Sequence, residues 1–184
     1  MRITGGILRG RQVKISQGVI RPAMDRMRES LFAALGDISG LSFLDVFSGT
    51  GIIALEAASR GASDIEAVEM DPLKRKTLIE NVKISPVMIH CHFISAELYV
   101  KRAKRTFDLI FCDPPFPYRF KWELIQSIAA SPLMKPGSRL LLHRPREDSP
   151  GKKPVTPPTE SALELKDSRQ YGRSVVDFFT LVIL

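Results

Sequence analysis

An acid, two prolines and an aromatic residue, Asp113-Pro114-Pro115-Phe116, follow the apolar run "LIFC" in the second half of the chain. Proline cannot donate to a sheet ladder, so the strand that the apolar run predicts must end at this point. The same four residues also have a chemical use, because an acceptor pair beside an aromatic face can bind a nucleobase that carries an amino group.

Such an amino group is a poor nucleophile, since its lone pair is delocalised into the ring. Two acceptors that grip its hydrogens would rehybridise the nitrogen, and the Asp113 carboxylate and the Pro114 carbonyl are candidates. We expect both proline carbonyls to be free for a ligand. Phe116 could stack on a flipped-out base, a contact of about 1–3 kcal/mol in other proteins. The motif therefore predicts catalysis by positioning and electrostatics, without a covalent nucleophile.

A glycine loop lies between the first predicted sheet strand and its helix, in the segment "FLDVFSGTG". Glycines at this point allow a sharp turn and a close approach to a ligand. No Gly-Lys-Ser/Thr follows, so the loop is not a phosphate-binding P-loop, and the third glycine of the dinucleotide fingerprint is replaced. A plain tight turn remains an alternative. The candidate cofactor residues of the loop are Asp45, Phe47, Ser48, Gly49, Thr50 and Gly51.

An acidic segment, Glu69-Met70-Asp71, follows the glycine loop by about 20 residues, where doubly wound nucleotide folds hold an acid for ribose hydroxyls. Glu69 can accept from both hydroxyls. Asp45 is expected at the mouth of the crevice, where an acid suits an ammonium or sulfonium group better than a pyrophosphate. This favours S-adenosylmethionine over NAD. Asp71 has another interpretation, because an acid before a proline commonly caps a helix.

Strands and helices alternate along most of the chain, which predicts an α/β fold with a parallel sheet and helices on both faces. A helix opened by Pro22 and closed by Gly36 comes first, with Arg26, Arg28 and Glu29 expected to face away from its apolar side. Strands are expected at 41–47, 64–70, 87–94, 108–113 and 138–143, and helices at 52–60, 72–83, 97–105 and 122–130. An antiparallel hairpin of 162–171 and 174–184 closes the sheet, and a small glycine-containing hairpin spans 2–20.

Positive charge is concentrated at the N-terminus. Residues 1–28 hold seven Arg and Lys against one Asp, which is 7 − 1 = +6 of the chain's net charge of +7. A local basic block is the footprint of a polyanion site, and a solvated basic face is the alternative. The candidate RNA-binding residues are Arg9, Arg11, Arg21, Arg26 and Arg28.

The sequence does not indicate a membrane-spanning, secreted, disulfide-rich or metal-binding protein. No apolar run approaches the ~20 residues that a membrane span needs, and the N-terminus lacks a signal-peptide core. Two cysteines, Cys91 and Cys112, do not form a disulfide framework, so we expect reduced thiols and a cytoplasmic protein. The three histidines, His90, His92 and His143, lack metal-ligand spacing, so we expect structural roles for them and no metal site.

Together, "DVFSGTG", "VEMD" and "DPPF" resemble a class I S-adenosylmethionine-dependent amino-methyltransferase. The flanking segments "RITGGILRGRQV", "RPAMDRMRESLFAAL", "ALEAASRGA" and "RQYGRSVVDFF" resemble the RsmD family, the bacterial enzymes that make N2-methylguanine in 16S ribosomal RNA. The resemblance covers nearly the whole chain, in order.

This resemblance implies one Rossmann-like class I methyltransferase domain over 1–184, with a mostly parallel seven-stranded sheet in the order 3-2-1-4-5-7-6. It implies that residues 1–20 form an N-terminal β-hairpin extension that binds RNA. The glycine loop, Glu69 and Met70 would hold S-adenosyl-L-methionine, with Ala96 beside its adenine. Asp113 to Phe116 would be catalytic, and 21–29 would lie over the cofactor and the RNA entrance. The substrate would be a guanine of 16S rRNA in an assembled or nearly assembled small ribosomal subunit, and the enzyme a monomer without metal or membrane attachment.

The sequence also departs from the family pattern. Ala23 stands where Thr is usual, the fifth strand ends in Leu142-His143-Arg144 where an acid is often found, and 145–158 is unusually rich in proline. A DNA adenine-N6 methyltransferase shares the Asp-Pro-Pro-Phe motif, although it usually has a target-recognition domain for which this chain has no room. Protein glutamine methylation usually has Asn before the prolines. A basic RNA-binding or assembly factor without catalysis is the remaining alternative.

Overall fold

The structure is a computed structural model that describes residues 1–15, 23–148 and 161–183. Its helices are α1 (Ala23–Leu35), α2 (Ile52–Ser59), α3 (Pro72–Val82), α4 (Ala96–Lys101) and α5 (Lys121–Ala129). Its strands are β1 (Ser42–Val46), β2 (Asp64–Val68), β3 (Ile89–His92), β4 (Leu109–Cys112), β5 (Arg139–Pro145), β6 (Ser161–Tyr171) and β7 (Ser174–Ile183).

The seven strands form a sheet in the order β3-β2-β1-β4-β5-β7-β6, which confirms the predicted order. Strand pairs β1–β2, β2–β3 and β4–β5 are parallel, whereas β5–β7 and β6–β7 are antiparallel. The chain divides into two compact units, Met1–Ser95 and Ala96–Leu184. The expectation of a single domain over all 184 residues stays a prediction.

In the first unit, α2 is buried along its whole length and contacts β1, β2 and α1. This burial explains why its sequence, "IIALEAAS", is apolar all round except for one acid and the terminal serine. The N-terminal arm, residues 1–15, is held by the buried side chains of Ile3 and Val13. Its antiparallel pairing is limited to one bridge between Arg2 and Gln12, so within the described residues the predicted hairpin is a turn-rich arm rather than two strands.

In the second unit, β4 and most of β5 are buried, as expected for strands covered on both faces. Strand β5 is longer than predicted, because its pairing with β7 continues to Pro145 opposite Ser174. Helix α4 is shorter than predicted. It ends in tighter turns, with the Ala103 N–H bonded to the Val100 carbonyl. Strands β6 and β7 are joined through Gly172 and Arg173, as the sequence indicated.

Strand β3 covers four residues instead of the eight expected, and each of its four residues pairs with one of β2. Both cysteines are free thiols, as predicted, with Cys112 buried in β4. Across the described ranges we find no helix with the length and apolar character of a membrane span.

Candidate active site

The glycine loop between β1 and α2 has an unusual backbone. Phe47 has a positive φ of 64°, and Gly51 has one of 81°. A Cβ atom on Gly51 would stand 2.7 Å from Cδ1 of Leu78 on α3, so a larger residue there would have to displace this side chain. At Gly49 a Cβ would meet nothing nearer than 4.0 Å, which leaves space for a ligand beside the backbone. A non-glycine residue at positive φ is strained, and such strain is concentrated at functional sites.

Asp45 holds this loop in shape. It lies within β1 and is only 1% exposed, so the expectation that it stands at the mouth of the crevice is wrong. Its Oδ2 accepts hydrogen bonds from the Ser48 hydroxyl at 2.6 Å and from the Ala54 N–H at 3.2 Å. A buried carboxylate needs such partners. Asp45 therefore ties the start of the loop to the first turn of α2.

Glu69 connects the ends of β1 and β2. Its Oε2 accepts from the Gly49 N–H and its Oε1 from the Asp71 N–H, both at 2.8 Å. Each carboxylate oxygen has a second lone pair, so the side chain can also accept from a ligand hydroxyl. Met70 follows with 60% of its surface exposed. The Asp71 carboxylate accepts from the Leu73 N–H at 2.9 Å, which confirms its alternative interpretation as the cap of α3.

The Asp-Pro-Pro-Phe motif begins directly after β4, as predicted, and lies in the second unit. The Asp113 side chain is 26% exposed, and its Oδ1 is 2.7 Å from Nδ1 of His143. The Pro115 carbonyl accepts the Tyr118 N–H at 2.8 Å, so the prediction that both proline carbonyls are free is wrong. No hydrogen bond from the described part of the chain reaches the Pro114 carbonyl, which leaves the predicted pair of acceptors, Asp113 and Pro114.

An open cavity of about 440 Å³ adjoins Phe116. A buried Lys121 pairs with Asp148 at 2.5 Å on its border. The cavity is lined by Phe116, Pro117, Tyr118, Arg119, Lys121, Trp122, Glu147 and Asp148. A second cavity of about 290 Å³ lies between α4 and α5, where the Tyr118 hydroxyl donates to Glu97 at 2.5 Å. Burial and this hydrogen bond raise the pKa of Tyr118, so its hydroxyl stays a donor at neutral pH.

The comparisons with known proteins agree with this geometry. The family described as conserved hypothetical protein 95 matches residues 1–180. The chain is similar to ribosomal RNA small subunit methyltransferase D of Haemophilus influenzae, with 29% identity over 178 residues that cover 90% of this chain and 88% of the relative. The protein of the same name from Escherichia coli K12 is 33% identical over 122 residues, 63% of this chain and 60% of that protein. The solved structure of the putative methyltransferase yhhF from Escherichia coli matches with a TM-score of 0.85 and 27% identity. The match covers 100% of this chain and 99% of the yhhF chain.

The chain belongs to this family. The RsmD-family membership predicted from the motifs is confirmed, and so is the fold of class I S-adenosylmethionine-dependent methyltransferases. The predicted cofactor residues divide between the units. The glycine loop, Glu69 and Met70 lie in the first, whereas Ala96 begins α4 in the second and is buried.

The predicted RNA-binding arginines of this RsmD-family chain have different environments. Arg9, Arg11 and Arg26 are exposed, and Arg21 lies outside the described residues, as does Pro22. Arg28 is fully buried, so the prediction that it contacts RNA is corrected. Its partners are the carboxylates of Glu56 at 3.0 Å and Asp25 at 2.6 Å and the carbonyl of Arg2 at 2.9 Å. Arg28 therefore fastens the N-terminal arm to α1 and α2.

Sequence reasoning missed two anchors of the arm on α2. Glu56, fully buried, accepts from both the N–H and the hydroxyl of Thr4, at 2.8 and 2.9 Å, and pairs with Arg60 as well as Arg28. Ser59 donates to the Gly5 carbonyl at 2.6 Å and accepts from the Leu8 N–H at 2.8 Å. An acid and a serine within an otherwise apolar helix were the available signal.

A third missed residue, Asn81 of α3, connects the arm to the glycine loop. Its amide exchanges two hydrogen bonds with the backbone of Lys14 and donates a third to the Thr50 carbonyl, each at 2.9 Å. The contact of His143 with Asp113 was not predicted either, and the expected structural role of His143 stays a prediction. The signal for this contact was the position of His143 one residue beyond Leu142, which pairs with Cys112 in the register that also places Asp113 opposite it.

Proposed function

We propose that this protein transfers a methyl group from S-adenosyl-L-methionine to the exocyclic N2 amino group of one guanine in 16S ribosomal RNA. The observation that carries the proposal is the Asp113 and Pro114 acceptor pair beside Phe116, directly after β4, in a member of the RsmD family. The relatives named ribosomal RNA small subunit methyltransferase D support rRNA as the substrate. Specificity for guanine N2 rests on the resemblance stated above.

The first unit fits the methyl donor. When bound, S-adenosyl-L-methionine supplies an electrophilic methyl group on its sulfonium sulfur. Glu69 has lone pairs left for ribose hydroxyls after binding the Gly49 and Asp71 N–H groups. The open space beside Gly49 admits a close ligand, and exposed Met70 offers an apolar face next to Glu69. Asp45 is buried, so its part is to order the loop by hydrogen bonds rather than to face the ligand as an exposed group.

The second unit supplies the groups that would activate the nucleophile. Asp113 and the Pro114 carbonyl accept the two hydrogens of the amino group, while Phe116 stacks on the base. The nitrogen lone pair then forms the new C–N bond as the bond between the methyl carbon and sulfur breaks. The nitrogen loses one proton afterwards, and Asp113 is the nearest acceptor in the motif. The reaction requires the donor and the amino group to meet, and the prediction that both units serve one crevice stays a prediction.

The N-terminal arm and α1 supply the groups that would bind RNA. Its turn carries exposed Arg9 and Arg11, and α1 carries exposed Arg26. Because Glu56 and Ser59 hold this arm on α2, the arginines project from a fixed support, which reduces the entropy cost of binding. We propose that the enzyme acts as a cytoplasmic monomer, without a metal, on the assembled or nearly assembled small subunit.

Methyl transfer from labelled S-adenosylmethionine tests the proposal. Small subunits that lack the modification, naked 16S rRNA and duplex DNA are offered in parallel, and the products are analysed as nucleosides. We expect the parent enzyme to form N2-methylguanosine in the small subunit. The Asp113→Ala variant should not form this product. N6-methyladenine in the DNA would instead support the adenine-N6 alternative, and undiminished activity of the variant would refute the role of Asp113. A chain that does not bind S-adenosylmethionine in calorimetry would support a binding factor without catalysis.

A further inference from the structure

We propose that His143 is a positioning residue for methyl transfer, one that fixes the rotamer of Asp113 by donating Nδ1–H to its Oδ1. This proposal rests on the function proposed above. It assigns a role to a histidine within β5, a strand in which the family often has an acid. It also predicts that Oδ2 is the carboxylate oxygen that accepts a hydrogen bond from the amino group.

The contact follows from strand register. Cys112 of β4 pairs with Leu142 of β5, so the next residues, Asp113 and His143, face each other across the parallel pair. Their side-chain atoms Oδ1 and Nδ1 are 2.7 Å apart, a short hydrogen bond. We assign the hydrogen of this bond to Nδ1, because a carboxylate oxygen that accepts needs a donor opposite it. The bond uses Oδ1 and leaves the second oxygen of Asp113, Oδ2, available for a ligand.

The imidazole is itself held rigidly. The His143 side chain is 7% exposed, and its ring meets the Phe116 ring edge-on, with centroids 5.7 Å apart. The following residue, Arg144, forms a bidentate pair with Asp177 of β7, at 2.5 and 3.2 Å, which secures this end of β5. One histidine on a fixed strand thus contacts both the carboxylate and the aromatic ring of the motif. Supporting contacts of this kind keep catalytic groups within a fraction of an ångström of the productive geometry.

The other ring nitrogen defines the competing interpretation. Nε2 is buried and has no hydrogen-bond partner among the described residues. In a neutral ring with its hydrogen on Nδ1, Nε2 carries a lone pair, so it could instead take up the proton that the methylated amino nitrogen releases. The two roles use different ring atoms, and amide side chains distinguish them. Asn places an N–H donor near the position of Nδ1, whereas Gln extends its amide towards the position of Nε2.

The test compares His143→Asn, His143→Gln and His143→Leu with the parent enzyme in the methyl-transfer assay on small subunits. We expect His143→Leu to lower kcat about 100-fold, the scale expected when a reacting group is misplaced by about 1 Å. KM for S-adenosylmethionine should not change, since His143 does not belong to the glycine loop. His143→Asn should recover kcat to within a few-fold of the parent, and His143→Gln should not.

Three outcomes would overturn the proposal. If His143→Asn is as slow as His143→Leu although both melt at the parent temperature and bind S-adenosylmethionine normally, the Nδ1 donor is not what matters. If His143→Gln alone is rescued, Nε2 carries the function. If His143→Leu keeps full kcat while Asp113→Ala is inactive, His143 only fills space. The proposed function would survive each of these results, and it would fail separately if Asp113→Ala were fully active.

Discussion

The backbone carbonyl oxygen of Ser59 lies 1.9 Å from the position that a Cβ atom on Gly6 would occupy. The Ile7 N–H bonds to this carbonyl at 2.8 Å, and Gly6 has a φ of 74°. The turn that carries Arg9 and Arg11 is therefore seated directly on the last residue of α2. No side chain fits at Gly6 without lifting the turn, because the atom in the way belongs to the backbone.

The first prediction concerns this seat. Gly6→Ala should lower the affinity for small subunits at least about tenfold, or about 1.4 kcal/mol, because the displaced turn no longer presents its arginines in a fixed geometry. The affinity for S-adenosylmethionine should be retained. Both are measured by titration of the purified variant.

Gly10→Ala is the matched control. Gly10 also has a positive φ, of 84°, but a Cβ there would meet nothing within 4 Å. Both variants carry the backbone strain of roughly 1–2 kcal/mol for an L-residue in this conformation, and only Gly6→Ala adds the clash. Equal losses of RNA affinity in the two variants would show that the seat on Ser59 is not what matters.

The second prediction concerns Glu56, which is buried between Arg28 and Arg60. Glu56→Ala leaves the fully buried Arg28 without its main buried counter-charge, and removing one partner of a buried pair typically costs about 3–5 kcal/mol. We expect a fall of that size in the free energy of unfolding, measured by urea denaturation. Glu164→Ala removes an acid from an exposed pair with Lys166 and should leave the midpoint almost unchanged. If Glu56→Ala changes the free energy of unfolding only slightly, other groups must balance the charge of the buried Arg28.

The third prediction concerns the methyl donor. Glu69→Gln should weaken S-adenosylmethionine binding at least about tenfold, about 1.4 kcal/mol. Both carboxylate oxygens of Glu69 accept backbone hydrogen bonds, whereas the amide of Gln has only one acceptor oxygen. One of the Gly49 and Asp71 N–H groups would then face an NH₂ group. Isothermal calorimetry measures the change. Asp71→Asn is the neighbouring control, since Asn caps a helix as well as Asp does and the affinity should be retained.

The fold was largely predictable because its main signals are local. Apolar strands separated by helical segments indicate parallel pairing, and Pro114 and Pro115 mark the end of β4 without any long-range information. The length of an edge strand depends on its partner, which explains why β3 was overestimated. The end of β5 was misjudged for the same reason, since β7 extends the pairing to Pro145.

The site was predictable in its motifs but not in its supporting contacts. The charge of Arg28 predicts an exposed basic residue, but Arg28 lies three and seven residues before Leu31 and Leu35, on the buried side of α1. Helical spacing gave that clue, but the counter-charge on Glu56 comes from another helix, 28 residues away. The bond between Asp113 and His143 likewise needs strand register, which composition and motifs do not reveal.

The last prediction separates the basic residues that contact RNA from those that only contribute charge. Changing Arg9, Arg11 and Arg26 together to Gln should weaken binding to small subunits and reduce the slope of log affinity against log salt by about 2–3, because each phosphate contact contributes roughly 0.7–0.9. Arg28 is left intact, since it stabilises the fold.

The control removes the same charge elsewhere. Lys101, Arg102 and Lys104 are exposed in and just after α4, and their triple change to Gln lowers the net charge by the same three units. If the N-terminal arginines make phosphate contacts, only their removal reduces the salt slope, whereas both triple variants share any effect of net charge on long-range steering. An equal reduction in both would mean that RNA is attracted by overall charge, and the N-terminal arm would lose its proposed role as the RNA-binding surface.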